Sequence, residues 1–286
     1  MRTDTQDAYL ESINKAIAFI EHNTSQGILL KDIATHANLS QYHFHRIFKS
    51  LTGTTTKEFI TRLRLEKGAF QLKHFLYDIG TIAIACGYQN HETFTRAFKE
   101  YFGLTPMEYR ETITTLTHAK QKSIKAGNVS LSQLNVDGPI IKALPDLHLA
   151  YIRHTGSYDK VGSAFQKLML WAAGNLVLKL KPVTIGIVHD NPDLTAEENI
   201  RFDACILTTK EIKPKREIGY KKIDGGKYAV FTYKGGYDGF YPVYDYIYNV
   251  CLFQNKFVLD DKPALEWYIK SPPFYKPESY VTDFYV

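Results

Sequence analysis

Residues 44–53 read FHRIFKSLTG, and residues 94–103 read FTRAFKEYFG. Phenylalanine, arginine, phenylalanine, lysine and glycine return at identical spacing: Phe44 and Phe94, Arg46 and Arg96, Phe48 and Phe98, Lys49 and Lys99, Gly53 and Gly103. Self-similarity at a fixed period marks a duplicated structural unit. Upstream of each copy stands a short apolar pattern opening Ile-Ala (Ile33-Ala34 and Ile82-Ala83), followed by a tight turn. Helix, short turn, second helix, twice over, spells a tandem helix-turn-helix.

Helical periodicity divides each copy into two faces. Phe44, Ile47, Phe48 and Leu51 share one side, as do Phe94, Ala97, Phe98 and Tyr101, and these are expected to be core. Gln41, Tyr42, His45, Arg46 and Lys49 occupy the other side of the first copy. Asn90, His91, Glu92, Thr95, Arg96 and Lys99 occupy it in the second. Those side chains suit a major groove. Arginine forks onto guanine O6 and N7, asparagine reads adenine, and glutamate accepts from cytosine N4. Lysines at the far end meet phosphates. A single polar helix face signifies little more than solvation; a duplicated face with matching arginines favours DNA. Ser40 fits an N-cap and Gly53 a C-terminal stop. The helical stretch between the copies, from about Thr56 to Phe75, spans roughly 30 Å. One turn of B-DNA is about 34 Å, so one chain can address two successive major-groove segments.

The formal net charge of +5 argues little by itself. Basic residues nevertheless concentrate between Lys31 and Lys73, where Lys31, Arg46, Lys49, Lys57, Arg62, Arg64, Lys67 and Lys73 outnumber Asp32, Glu58 and Glu66. That footprint suits phosphates. No apolar run is long enough for a membrane span, and the polar, acidic start is unlike a secretory signal. A cytoplasmic protein with no membrane partner is expected. Cys86, Cys205 and Cys251 are far apart and set among apolar residues, so they are expected to be buried core positions, with no disulfide framework and no zinc site. His43 and His45 point to different helix faces, which disfavours a shared metal. No cofactor is expected.

From about Ile140 the texture changes. Apolar alternation at Leu149–Ile152, Thr184–Val188, Ala229–Tyr233 and Leu265–Ile269 signals strands. Helical patterns at Val161–Ala173 and about Tyr241–Leu252 interrupt them. A second, weaker repeat is visible. HLAYIRHTGSYDKV (148–161) parallels KYAVFTYKGGYDGF (227–240), and PVTIGIVHDNP (182–192) parallels PALEWYIKSPP (263–273). RFDACIL and VTDFYV each supply a closing strand. The pattern implies an α+β domain of two β-α-β-β units. With the prolines in register, Glu266 aligns with Ile185. A buried unpaired charge is costly, and a cationic ligand would supply its partner, with Trp171, Tyr151, Phe231, Tyr244 and Tyr268 as candidate cage rings. Exposure, or pairing of Glu266 with a lysine, is the competing reading. The KGGYDG segment, 234–239, lacks the Lys-Ser/Thr of a phosphate loop and reads as a turn. No nucleophile elbow is present.

The stretch GYQNHETFTRAFKEYFGLTPMEYR, residues 87–110, closely resembles the signature of the AraC/XylS family of transcription regulators, and the resemblance runs from about Ala8 to Arg110. It implies that Tyr42, His45 and Arg46 meet bases from the first unit and Glu92, Thr95 and Arg96 from the second. Some relatives carry Trp and Gln where this chain has Tyr42 and His45. The region from about Ile140 to Val286 resembles the GyrI-like effector-binding domain, known in that context for binding small molecules, often lipophilic cations. The DNA-binding domain comes first, the less usual, Rob-like order.

The chain is accordingly expected to be multidomain, with an all-α tandem helix-turn-helix domain at residues 1–111, a linker at 112–139 and an α+β effector-binding domain at 140–286. The expected partners are double-stranded DNA, a small-molecule effector of the lipophilic-cation type and RNA polymerase, with activation as the family tendency and no enzymatic activity. The alternatives are a GyrI-like small-molecule hydrolase fused to a DNA-binding domain and a C-terminal protein-interaction module.

Overall fold

A computed structural model describes residues 2–125, 134–175, 182–251, 257 and 262–286. The central part of the expected linker, residues 126–133, and Leu252 at the end of the expected last helix lie outside the described residues. The chain divides into two compact units, residues 1–118 with 215–217, and residues 119–214 with 218–286.

The first unit is helical. Helix α1 covers Arg2–Asn23, α2 Leu30–His36, α3 Gln41–Thr52, α4 Thr56–His74, α5 Ile79–Ala85, α6 His91–Phe102 and α7 Pro106–Lys125. The ends follow from local chemistry. The Ser40 and Asn90 side chains accept from the third residue of α3 and of α6, and Gly53 and Gly103 close those helices at φ 77° and 75°. Only glycine adopts that backbone without strain. Thr55 and Glu58 form a capping box at the start of α4, and Thr105 and Glu108 make the same reciprocal pair at the start of α7. The duplication thus extends beyond the repeated decapeptide.

Two aromatic-centred cores result. Phe44 and Phe48 pack with Ile13, Ile17, Ile20, Ile33 and Phe59. Phe94 and Phe98 are fully buried in the second copy, with Phe98 edge-on to Tyr109 of α7. Gly68 of α4 lets the second copy close: a Cβ there would lie 2.8 Å from the Phe94 ring. Leu51 and Tyr101, expected in the core, are 40% and 43% exposed. Both sit in the last turn of their helix. The Tyr101 hydroxyl donates to the buried Glu66 carboxylate at 3.4 Å, a polar contact in place of core packing.

Among its described residues the second unit is an antiparallel sheet of eight strands: β1 Val136–Leu144, β2 Leu147–Thr155, β3 Thr184–Val188, β4 Arg201–Thr208, β5 Ile218–Ile223, β6 Gly226–Lys234, β7 Ala264–Lys270 and β8 Val281–Tyr285. Their order is β1-β6-β8-β7-β3-β4-β2-β5. Helix α8, Val161–Gly174, packs on Ala150, Ile152, Phe202, Ala204, Ile206 and Ile218. Helix α9, Phe240–Tyr246, continues into a π-helical turn at Ile247–Cys251 and packs on Ala229, Phe231, Tyr233 and Phe284. Both helices lie on one face. Cross-strand partners share a face, and one row of them crosses seven strands: Ile218, Ile152, Ala204, Gly186, Glu266, Phe284 and Phe231. Glu266 is the charged member of that row. The three cysteines are buried.

Two strands had no signal in the alternation. β1 carries Pro139 at a break in its register with β6, and β5 reads IGYKKI. Proline and lysine are characteristic of sheet edges, and these are the two edge strands.

Candidate functional sites: two helix faces and a buried carboxylate

The burial of Phe44 and Phe48 fixes what α3 turns outward. Gln41, Tyr42, His45, Arg46 and Lys49 are all exposed, Tyr42 by 68%. Arg46 lies one turn after Tyr42, its guanidinium 5.8 Å from the ring centre and its Nη1 3.4 Å from the hydroxyl. The two side chains are in contact before any ligand arrives, which reduces the side-chain entropy lost on contact. On α6, His91, Glu92, Arg96 and Lys99 are exposed and Thr95 is half-buried. His91 Nδ1 lies 3.4 Å from Glu92. Asn90 also caps α6. Its Oδ1 accepts from the Thr93 backbone N–H at 2.9 Å and from the Thr93 hydroxyl. Lys49 and Lys99 each lie near the capping glutamate of the following helix, and their charges help hold Glu58 and Glu108 below the usual carboxylate range, behind the larger effect of Thr55 and Thr105.

The basic footprint is narrower than the sequence count. Arg62 is buried and pairs with Glu66 at 3.3 Å. Arg64 donates to the carbonyls of Thr24 and Gln26 at 2.8 and 2.7 Å. Lys67 Nζ lies 3.1 Å from Ser25 Oγ. Arg64 and Lys67 tie α4 to the α1–α2 turn, because α4 is the central helix and its flanks are packed.

In the second unit Glu266 is 4% exposed. Tyr244 donates to Oε1 at 3.0 Å and Tyr268 to Oε2 at 2.5 Å. Burial pushes its carboxyl up to about 7, against the pull of the two hydroxyls, and among the described residues no cationic side chain offsets that rise. Burial and the Glu266 charge hold both phenols protonated, well above their ordinary range. Aromatic rings surround the group. Phe165 and Tyr237 meet Tyr268 at 5.5 and 5.9 Å, and Phe284 meets Tyr244 at 4.9 Å. A half-neutral carboxylate within a phenol and phenyl shell can accept a cation by charge and by ring quadrupole together.

The structure brings together Glu266, Tyr244 and Tyr268. Phe231 lies fully buried in the same row, beyond Phe284. Trp171 is half-buried against the α8 cluster. Tyr151 stands on the opposite face of the sheet, cross-strand from Cys205, with Lys221 Nζ 4.6 Å from its ring centre. It neighbours a different group there: fully buried Asp203, held by Arg153 at 2.6 Å, His189 at 2.8 Å and Lys221. The alignment of Glu266 with Ile185 is also corrected. Ile185 faces the side away from Glu266, and the residue across from Glu266 is Gly186. Matching the prolines displaced the register by one, which exchanges faces in a strand. Sequence reading missed Tyr158 and Tyr237, whose phenols both feel the Glu266 charge. The signal existed, since both stand in register in the weak repeat, each before an aspartate.

Comparison with known proteins follows the same division. Residues 138–286 match the family model for the GyrI-like small molecule binding domain, and residues 33–112 match that of a helix-turn-helix domain. The Transposon Tn10 TetD protein of Escherichia coli is 36% identical over 107 residues, 37% of this chain and 78% of that protein. The transcriptional regulator Rob of Salmonella typhimurium is 22% identical over 250 residues, 84% of each chain. The raffinose operon transcriptional regulatory protein RafR of Pediococcus pentosaceus is 33% identical over 103 residues, 36% of this chain and 37% of that protein. Among the described residues no helix is long and apolar enough to cross a membrane.

Proposed function

The chain belongs to the GyrI-like small-molecule binding family and joins that domain to the helix-turn-helix of AraC-type DNA-binding transcription regulators; from that premise we propose that it reads DNA with two unlike helix faces and is controlled by a lipophilic cation held at Glu266. The observation that carries the second half is Glu266 itself, a buried carboxylate with phenol donors on both oxygens and, among the described residues, no cationic partner. A ligand cation supplies the missing charge, and the surrounding rings favour a flat or apolar one.

For DNA, Arg46 and Arg96 are the base-reading arginines, with Tyr42, His45, Glu92 and Thr95 beside them. Gln41 and His91 stand at the helix starts, Lys49 and Lys99 address phosphates, and Asn90 shapes the start of α6. The linking helix α4 is about 28 Å long at 1.5 Å per residue, close to one turn of duplex. Residues 1–111 form the DNA-binding domain and 140–286 the effector domain, with α7 and the first residues of β1 reaching into the 112–139 connection. Activation through contact with RNA polymerase, in the cytoplasm, completes the reading.

The test is binding of the full chain to a duplex selected from a random pool, with and without tetraphenylphosphonium as a probe cation. The cation is expected to bind, to change DNA affinity or transcription from that site, and to be recovered unaltered. Turnover of a bound compound would replace the receptor with a catalyst. No response to any cation would leave the domain as a protein-interaction module.

A further inference from the structure

Glu266 pairs across the β7–β8 ladder with Phe284, and Thr282 stands two residues before that partner, on the same face of the sheet. Gly186 pairs across the β3–β4 ladder with Ala204, and Phe202 stands two residues before that partner. The two diagonals occupy matching places on either side of the β3–β7 ladder, yet their contents differ. In the first, the Phe202 ring fills the space over Gly186. In the second, a carboxylate stands where the other has bare backbone, and a hydroxyl stands in place of the ring. Thr282 is 0% exposed, and among the described residues its Oγ1 has no hydrogen-bond partner. Burying a hydroxyl in that state is costly, and an apolar side chain of the same shape would avoid the cost. Both polar groups lie under the same rings. Thr282 pairs across with Tyr268 of β7 and Tyr233 of β6. Tyr237 meets Tyr268 at 5.9 Å and Phe240 at 5.2 Å, and Phe240 meets Tyr233 at 6.0 Å. The Tyr237 ring thus roofs the β8 position between those two tyrosines, and it is 43% exposed.

We propose that Thr282 is the second anchor of the effector site, donating a hydrogen bond to a neutral acceptor on the cation that Glu266 holds. The inference rests on the cation-receptor role proposed above and narrows its ligand. Tyr244 and Tyr268 give their protons to Glu266, which leaves the Thr282 hydroxyl as the donor for the ligand. Diagonal neighbours on one sheet face lie about 7–8 Å apart. The effector is therefore an organic cation with an ether, carbonyl or ring-nitrogen acceptor about one aromatic ring away from its charge. It enters by taking the place of the Tyr237 ring. A wholly apolar cation fills the same space but leaves the hydroxyl unpaired, and a site built to hydrogen-bond its ligand rejects an analogue that cannot do so.

Two probe cations of one shape give the decisive measurement. One is (para-methoxyphenyl)triphenylphosphonium, which carries the acceptor; the other is (para-ethylphenyl)triphenylphosphonium, with a methylene in place of the oxygen. Both are titrated calorimetrically onto the full chain and its variants. Thr282→Val and Thr282→Ala remove the hydroxyl, Thr282→Ser keeps it, and Glu266→Gln removes the charge. Comparing the ratio of the two affinities between chains cancels the difference in hydration of the probes. Relative to the valine and alanine variants, the parent should favour the methoxy probe by about three- to tenfold, the worth of one neutral hydrogen bond. The serine variant should keep the parental ratio, and Glu266→Gln should weaken both probes alike. Without ligand, Thr282→Val should melt no earlier than the parent, because it removes a buried hydroxyl that lacks a partner; an earlier melt overturns the proposal. So does an equal ratio in parent and hydroxyl-free variants with Glu266→Gln still weakening both probes, which leaves the Thr282 hydroxyl to a buried water. If the parent chain binds neither probe, the cation-receptor role fails first and this inference falls with it.

Discussion

Gly186 sits directly across the β3–β7 ladder from Glu266. A Cβ on Gly186 would collide with the Phe202 ring, 2.9 Å from its Cε2, and would stand 2.8 Å from the hydroxyl of Tyr268, the same hydroxyl that donates to Glu266. The missing side chain and the buried carboxylate are thus two halves of one arrangement. Space left by glycine is taken by the phenol that holds the acid.

Gly186→Ala should therefore displace Tyr268 and destabilise the sheet domain by about 1–3 kcal/mol, the usual cost of overpacking a filled core. Both tryptophans, Trp171 and Trp267, lie in this unit, so their fluorescence during denaturant unfolding reports on it alone. An unchanged midpoint would count against the arrangement.

The stability of the ligand-free sheet domain should fall as pH rises from 4.5 to about 7. The folded carboxyl of Glu266 is raised from 4.5 to about 7, so in that window the native state binds more protons than the unfolded chain. The unfolding free energy then decreases with pH. The contribution is about 3 kcal/mol, at about 1.36 kcal/mol for each tenfold change in the proton equilibrium. Glu266→Gln should remove it, visible as a difference between the two pH profiles. Parallel profiles would sink the assignment.

Cation binding should follow the opposite course. A cation pairs with ionised Glu266, so its affinity should climb about tenfold per pH unit below about 7 and then level off. Calorimetric titration of tetraphenylphosphonium at pH 5, 6, 7 and 8 measures this. Affinity independent of pH would place the ligand elsewhere.

Arg46→Ala and Arg96→Ala should each cost roughly 1–3 kcal/mol of DNA affinity and relax preference at one base. Arg62→Ala, by contrast, should unsettle folding, because that arginine is buried against Glu66. Repeating the pool selection with each variant, alongside thermal melting, separates the two behaviours.

Asp203→Asn should be severe, about 3–5 kcal/mol, because it leaves Arg153 and Lys221 without their buried counter-charge. Those cations hold the Asp203 carboxyl well below its ordinary range. The stability it gives is therefore present above pH 3.8 and is lost as pH falls through the folded value. Acid unfolding followed by tryptophan fluorescence should shift upward in pH for the variant; coincident curves would remove the role.

The α3 and α6 faces were legible because a helix repeats every 3.6 residues and the chain states the pattern twice. Phe44, Phe48, Phe94 and Phe98 fix the inward side, and the rest follows. Counting charge alone failed at Arg62 and Arg64, since composition does not say which cations α4 turns inward. The carboxylate site was half legible. Glu266 is conspicuous among apolar neighbours, but which rings face it depends on strand register. A slip of one residue put Ile185 where Gly186 stands, and strand alternation puts Tyr151 on the far face. Edge strands β1 and β5 escaped notice because edge positions do not require alternation.

The two outward helix faces are not copies of one another. Gln41, Tyr42 and His45 stand on one where His91, Glu92 and Thr95 stand on the other. A duplex segment matched to both in sequence therefore has a head and a tail. Turned end for end, the same base pairs would meet the wrong helix, so on the proposed reading the protein's mounting on DNA is polar, like an arrow, and a single bound chain would tell upstream from downstream.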